Sequence, residues 1–262
     1  MSQPWRLLAL ASGLPLLLGT AHAGSVVTAS VTGITFSTTG SVTVTTAVMS
    51  TMVQANDFAY TDSDAVFVPN NDDHSVSGPW QTPQDLQSAS SSATAHASAT
   101  ETSLLAEVST GAWGGIASAQ ASLYAEVTLG AYSSIVITWS ASTTGYNDGS
   151  KTSLTPTYDF QFYDYLQGSA QVDVGQQSEM IYDAEGHDDI QGQASSFNQS
   201  STHREFVLTT GATPQTTFFN ISAYAMTQDY ANPVPEPEAW ALTLAGLGLA
   251  GANAHRRHRR TR

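Results

Sequence analysis

The clearest hydrophobic pattern lies at residues 116–129, IASAQASLYAEVTL. Its odd positions hold Ala117, Ala119, Ala121, Leu123, Ala125, Val127 and Leu129, while Ser118, Gln120, Ser122, Glu126 and Thr128 stand among the even ones. Apolar residues at every second position share one side of an extended chain, whereas a helix would scatter them around its axis. The pattern predicts a half-buried strand. The β-branched run VTVTTAVMSTMV at 42–53, free of Gly and Pro, predicts another. Further strands are expected at Val26–Phe36, Ala65–Val68, Ile135–Ala141, Tyr158–Leu166, Ala170–Val174, Glu205–Thr209 and Thr217–Met226. Between the last two, TGATPQT has the composition of a hairpin loop.

The pattern is weaker elsewhere. ATAHASA at 93–99 alternates, but with alanine on its apolar side. It sits inside a Ser/Ala/Thr-rich stretch, Leu86–Val108, where ETSLLAEV is compatible with one or two helical turns. Asn56–Pro83 and Gln176–Thr202 are rich in Asp, Asn, Ser and Gln, which satisfy their own backbone in turns, and read as loops. About ten short or medium strands separated by turn signals predict an all-β, sandwich-like domain.

The two ends follow other rules. Arg6 precedes an uncharged stretch from Leu7 to Gly19, and Thr20-Ala21-His22-Ala23 follows. A basic start, a short apolar run and an A-x-A site form a signal peptide, with cleavage between Ala23 and Gly24 by signal peptidase after Sec export. Thirteen residues are too few to span a hydrocarbon core of about 30 Å. The division expected is 1–23 signal peptide, 24–233 exported domain and 234–262 tail.

Charge sharpens this picture. Between Gly24 and Val234 only Lys151 and Arg204 are basic, against twenty acidic residues, a net charge of −18. Such a body repels nucleic acid and anionic lipid, so no nucleic-acid partner is expected. The chain has no cysteine. That excludes disulfides, thiol catalysis, iron–sulfur clusters and thiolate zinc sites.

Candidate chemistry within the body is diffuse. Asp57, Asp62 and Asp64, then Asp72 and Asp73, then Asp183, Glu185, Asp188 and Asp189 are clustered carboxylates of the kind calcium takes. None has the spacing of a calcium loop, and solvated acidic turns are the simpler reading. A glycosidase needs two facing carboxylates, and nothing selects a pair. His74, His96, His187 and His203 are scattered, without zinc spacing, and no G-x-S-x-G elbow occurs. YDFQFYDY at 158–165 offers rings for sugar stacking. The preferred reading is a packed strand, with Tyr158, Phe160 and Phe162 on one side and Tyr163 and Tyr165 on the other. No metal, cofactor or catalytic group is assigned.

The tail is the most specific feature. Val234-Pro235-Glu236-Pro237 precedes Ala239–Ala254, AWALTLAGLGLAGANA, which carries no charge. As a helix its sixteen residues rise about 24 Å, a marginal membrane span. Arg256, Arg257, Arg259, Arg260 and Arg262 follow, holding five of the chain's eight basic residues. They place the far end of the span in the cytoplasm and the body outside.

Pro-Glu-Pro, an apolar segment with the LAGLGLAG pattern and a terminal arginine cluster, in that order, resemble the PEP-CTERM sorting domain. The resemblance implies recognition and removal of the tail by exosortase, a membrane protease. It further implies a destination at the cell surface or in the extracellular matrix of a Gram-negative bacterium, in company with exopolysaccharide. It is confined to the tail and implies nothing for residues 24–233. The expectation is a non-enzymatic exported matrix or biofilm protein, transiently anchored in the inner membrane. A calcium-assisted carbohydrate-binding module is the alternative, and a secreted polysaccharide hydrolase stands behind it.

Overall fold

Alternation of apolar and polar side chains governs the whole body, and it resolves into two stacked antiparallel sheets. The computed structural model describes residues 24–60, 65–68, 73–111, 115–147, 163–188 and 194–229. Thirteen strands occur among them: β1 Ser25–Thr39, β2 Val42–Tyr60, β3 Ala65–Val68, β4 His74–Pro79, β5 Gln84–Ala89, β6 Ala93–Ala99 and β7 Ser103–Thr110. The remainder are β8 Gly115–Leu129, β9 Ser134–Asn147, β10 Tyr163–Val174, β11 Gln177–Asp188, β12 Ser195–Thr209 and β13 Gln215–Asp229. No helix occurs among the described residues.

One sheet runs β12-β9-β1-β7-β6-β5 and the other β11-β10-β13-β8-β2-β3, with β4 also paired to β2. β1, β6 and β7 of the first sheet face β13, β2 and β8 of the second. Between the sheets lies the core. β8 contributes Ala117 through Leu129 at alternate positions, β9 contributes Ile135, Ile137 and Trp139, and β1 contributes Val27, Ala29 and Val31. Where bulk is needed, Phe36, Trp80 and Phe219 pack ring to ring, with centroids 4.9–5.9 Å apart. Elsewhere alanines from β6, β8 and β13 meet, and small side chains let the sheets approach closely.

The structure revises several expectations. ETSLLAEV is strand, not helix: Leu104, Ala106 and Val108 face the core while Leu105 and Glu107 face out. Pairing with β1 on one side and β6 on the other overrides its local preference. The stretch Gln176–Thr202 is mostly strand as well, because β11 and β12 are the edge strands of their sheets. Edge strands carry polar residues on both faces, which removes the alternation that would announce them. Asn56–Pro83 likewise contains the end of β2 and the short edge strand β4 as well as the expected β3.

TGATPQT is not a hairpin. It carries the chain from β12 in one sheet to β13 in the other, tied down where Tyr132 N–H donates to Gly211 O at 2.8 Å and Thr210 N–H to Ser133 O at 2.9 Å. The two strands expected around Gly168 are one, β10, and Tyr158–Phe162 lie outside the described residues.

Gly168 explains why a glycine interrupts no pairing here. A Cβ at Gly168 would meet the Phe197 ring at 3.2 Å, and one at Gly145 would overlap it at 2.2 Å. Phe197 is thus seated between a glycine of its own sheet and one of the facing sheet.

Candidate functional site

The body's polar chemistry divides into groups that close the sandwich and groups that remain open to solvent. Asp57, at the end of β2, accepts from Ser91 N–H (3.1 Å), Ser91 Oγ (2.6 Å), Ser92 N–H (2.9 Å) and Ser92 Oγ (2.7 Å). Partial burial pushes this carboxyl up, but hydrogen bonds from Ser90, Ser91 and Ser92 outweigh it and hold it well below the usual carboxylate range. The serines lie between β5 and β6, so Asp57 joins the two sheets. It is a structural acceptor with no oxygen left over for calcium.

Other candidates are similarly committed. His96, on the outer face of the six-stranded sheet, has Asp85 Oδ1 at 2.8 Å from Nε2 and Glu107 Oε2 at 3.3 Å from Nδ1. Both ring nitrogens are thus engaged with carboxylates of the neighbouring strands β5 and β7. Asp183 accepts from Gln199 Nε2 at 3.0 Å, and Glu179 pairs with Arg204, so β11 and β12 are laced together along the open edge of the sandwich. Among the described residues no three His, Asp or Glu side chains are arranged to hold a metal ion. Asp62, Asp64, Asp72 and Asp189 lie outside those residues.

Cross-strand hydroxyl pairs lie on the outer faces of both sheets, Ser50 with Ser122 (2.7 Å) and Thr128 with Thr216 (3.0 Å) on the seven-stranded one, which also carries more aromatic rings. On the six-stranded sheet, hydroxyls pair across strands: Ser30 with Ser142 (2.9 Å), Thr35 with Thr138 (2.6 Å) and Thr94 with Ser109 (2.7 Å). On the seven-stranded sheet, β10 presents Tyr165, Gln167, Ser169, Gln171 and Asp173. Register places Tyr182 of β11 beside Ser169, Tyr224 of β13 on its other side, then Gln120 of β8 and Met52 of β2. Tyr124 and Phe218 stand as a near-parallel pair, centroids 6.3 Å apart and planes at 21°. Next to β4 lies a shallow groove of about 310 Å³ lined by Ser50, Met52, Ser77 and Gln120.

Two phenols of this face are perturbed. Burial, reinforced by the adjacent Tyr182 hydroxyl and by Tyr224, pushes Tyr165 up to about 12. Burial also raises Tyr224. Tyr165 donates to Gln167 Oε1 at 3.0 Å and Tyr224 to Met226 Sδ at 3.3 Å. The face therefore carries neutral donors at any physiological pH. Of the expected aromatic group only Tyr165 can be placed, on this outer face. Tyr124, Tyr182, Tyr224 and Phe218, spread over three further strands, were not anticipated. Alternation gives each residue a face, but only sheet order makes them neighbours.

Ala21, Ala23, Val234, Pro235, Glu236, Pro237 and the arginines at 256, 257, 259, 260 and 262 lie outside the described residues. Gly24 is described, and β1 starts at the next residue. The tail is assigned by comparison. The family model of the PEP-CTERM protein-sorting motif matches residues 233–260. The tail is a PEP-CTERM motif. No curated protein and no solved structure matches the chain.

A PEP-CTERM motif implies an exported protein, anchored in the membrane by its C-terminal tail until exosortase processes it. The matched residues include Val234–Pro237 and the arginines from Arg256 to Arg260. An apolar segment with basic residues beyond it stops in the membrane with its charges cytoplasmic, and leaves the Pro-Glu-Pro side facing out.

Proposed function

We propose that this chain is a non-enzymatic protein of the cell surface or extracellular matrix, delivered by signal-peptide export and PEP-CTERM sorting and associated there with exopolysaccharide. The observation that carries the reading is the motif at residues 233–260. The body is consistent with such a destination. It has no cysteine to oxidise, and its Asp57, Asp183 and His96 side chains are engaged in holding sheets and strands together. Its acidic surface keeps it soluble among uncharged polymers and away from anionic lipid.

The test uses tags placed before Val234 and after Arg262. Cells with active exosortase should yield a form in the extracellular or surface fraction that retains the first tag and has lost the second. Cells lacking exosortase should keep both tags on one membrane-bound chain. Replacing Glu236 or Pro237 should reproduce the second result. If both tags stay together in the membrane whether or not exosortase is present, the tail is a permanent anchor and the sorting reading fails.

A further inference from the structure

We infer that the outer face of the seven-stranded sheet is a docking surface for an uncharged polysaccharide, with Tyr182, Tyr224, Tyr124 and Phe218 as stacking platforms. Four of the larger apolar side chains on this face, Tyr182, Tyr124, Phe218 and Met52, are between 41% and 46% exposed. Isolated apolar residues at a surface are ordinary. Register sets the rings of this face in two groups: Tyr182 and Tyr224 share one row with Met52, Tyr182 and Tyr224 two strands or about 10 Å apart at the usual strand spacing, and Tyr124 and Phe218 stand further along the strands. One strand spacing is close to the length of one hexose in an extended chain. A glycan crossing the strands would therefore meet a side chain of the row at each sugar.

The chemistry of the row selects the occupant. Aromatic faces suit the apolar faces of sugar rings, and Gln167, Gln171, Gln120 and Ser169 between them supply donors and acceptors for hydroxyls. Charge excludes the rivals. Of the body's two basic residues, Arg204 is bound to Glu179 at the sheet edge and Lys151 lies outside the described residues, so no described cation on this face could hold an acidic polymer. Its carboxylates stand apart. Asp173 takes the Gln171 amide on both oxygens at 2.9 Å, and Glu126 stands beside Phe218 beyond the central row. A second protein, this chain included, would need a continuous apolar centre to its interface. Here the row Ser222–Ser122–Ser50 divides the apolar area into two small clusters, Tyr182, Tyr224 and Met52 on one side and Tyr124, Phe218 and Val48 on the other. An uncharged, hydroxyl-rich polymer fits.

The inference rests on the matrix reading only for the choice of probe. That probe is the producing cells' extracellular polysaccharide, split by anion exchange into uncharged and acidic fractions. The full-length chain, in a zwitterionic detergent that carries no sugar, is run through native gels containing each fraction. Retardation by the uncharged fraction and not by the acidic one is expected. Tyr182→Ala with Tyr224→Ala should weaken it at least tenfold, and Tyr182→Phe with Tyr224→Phe, which keep the rings, should leave it within about threefold. Tyr146→Ala, 53% exposed on the opposite sheet, should change nothing. No retardation by the uncharged fraction, or equal losses from the Tyr146 and the double-alanine variants, overturns the proposal. So does a dimer seen by light scattering that the double-alanine variant abolishes, since a second copy would then occupy the face. Recovery in the matrix without glycan binding sinks this inference alone. Binding by a chain that never reaches the matrix sinks the functional reading alone.

Discussion

Phe197 shows how much of this fold turns on single atoms. Its ring occupies the space that side chains at Gly145 and Gly168 would fill. Gly145→Ala should therefore force a shift and cost about 1–3 kcal/mol in urea unfolding, the usual penalty for overpacking. Phe197→Leu should restore part of that loss in the double variant while being destabilising alone. Asp57 makes the complementary point with charge. Asp57→Ala should cost about 2 kcal/mol near neutral pH, because several hydrogen bonds to one carboxylate are lost. The sign of the pH dependence follows from its lowered pKa. The native state binds the proton less readily than the unfolded chain, so the contribution is full above the unfolded value near 4 and is lost as pH falls below it. The stability gap between wild type and Asp57→Ala, followed by denaturant unfolding from pH 7 to pH 3, should narrow only at the acid end. A gap independent of pH would deny the carboxylate its bridging role.

At the scale of elements, the edges are where the sequence was hardest to read. β12 runs for 15 residues as an outer strand, and its ladder with β9 breaks between Ser201 and Arg204. His203 sits in that break with φ of 57°. A bulge at an edge twists the unpaired backbone away from would-be partners. His203→Val should cost about 1 kcal/mol, since a β-branched residue resists the left-handed region, and His203→Gly should cost little or nothing. Urea midpoints of the two variants test this directly. The Glu179–Arg204 pair beside the bulge is half exposed at its arginine, so Glu179→Gln should cost less than about 1 kcal/mol and nothing measurable in high salt. Interior strands such as β8 announce themselves because one face is buried and the other wet. β11, β12 and β4 do not, because solvent reaches both sides of an edge and either polarity is tolerated. β7 hides its strand character for a different reason. Its pair Leu104–Leu105 looks helical in isolation, yet the two side chains point to opposite faces once β1 and β6 flank it.

Taken as a whole, the molecule has a body that carries nearly all the negative charge and a tail that carries most of the positive charge. On the topology that the positive-inside rule gives, the tail's arginines stay cytoplasmic while the acidic body crosses. Replacing Arg256, Arg257, Arg259 and Arg260 with Gln should weaken membrane retention before cutting, seen as early loss of the uncut form from the membrane fraction. At the other end, mass spectrometry of exported protein should find Gly24 as the first residue. Peptides from Leu7–Leu18 in that fraction would refute processing after Ala23. The fold adds a spatial detail here, since β1 begins at Ser25 and pairs along β7 and β9 from that residue onward.

The sorting motif of this protein was legible in the chain alone. Sorting signals are read by other machinery as linear segments, so a short apolar run, Pro235-Glu236-Pro237 and five arginines carry their meaning without a fold around them. Strand identity in interior strands such as β8 and β2 was legible too, because burial of one face imposes a period of two on the sequence. What adjoins what was not. That β12 and β13 part into different sheets, that Asp57 spans to Ser91 and Ser92, and that rings from β8, β10, β11 and β13 share one face depend on strand order. Strand order is settled by how two apolar faces pack against each other over long separations in sequence, and no local pattern encodes it.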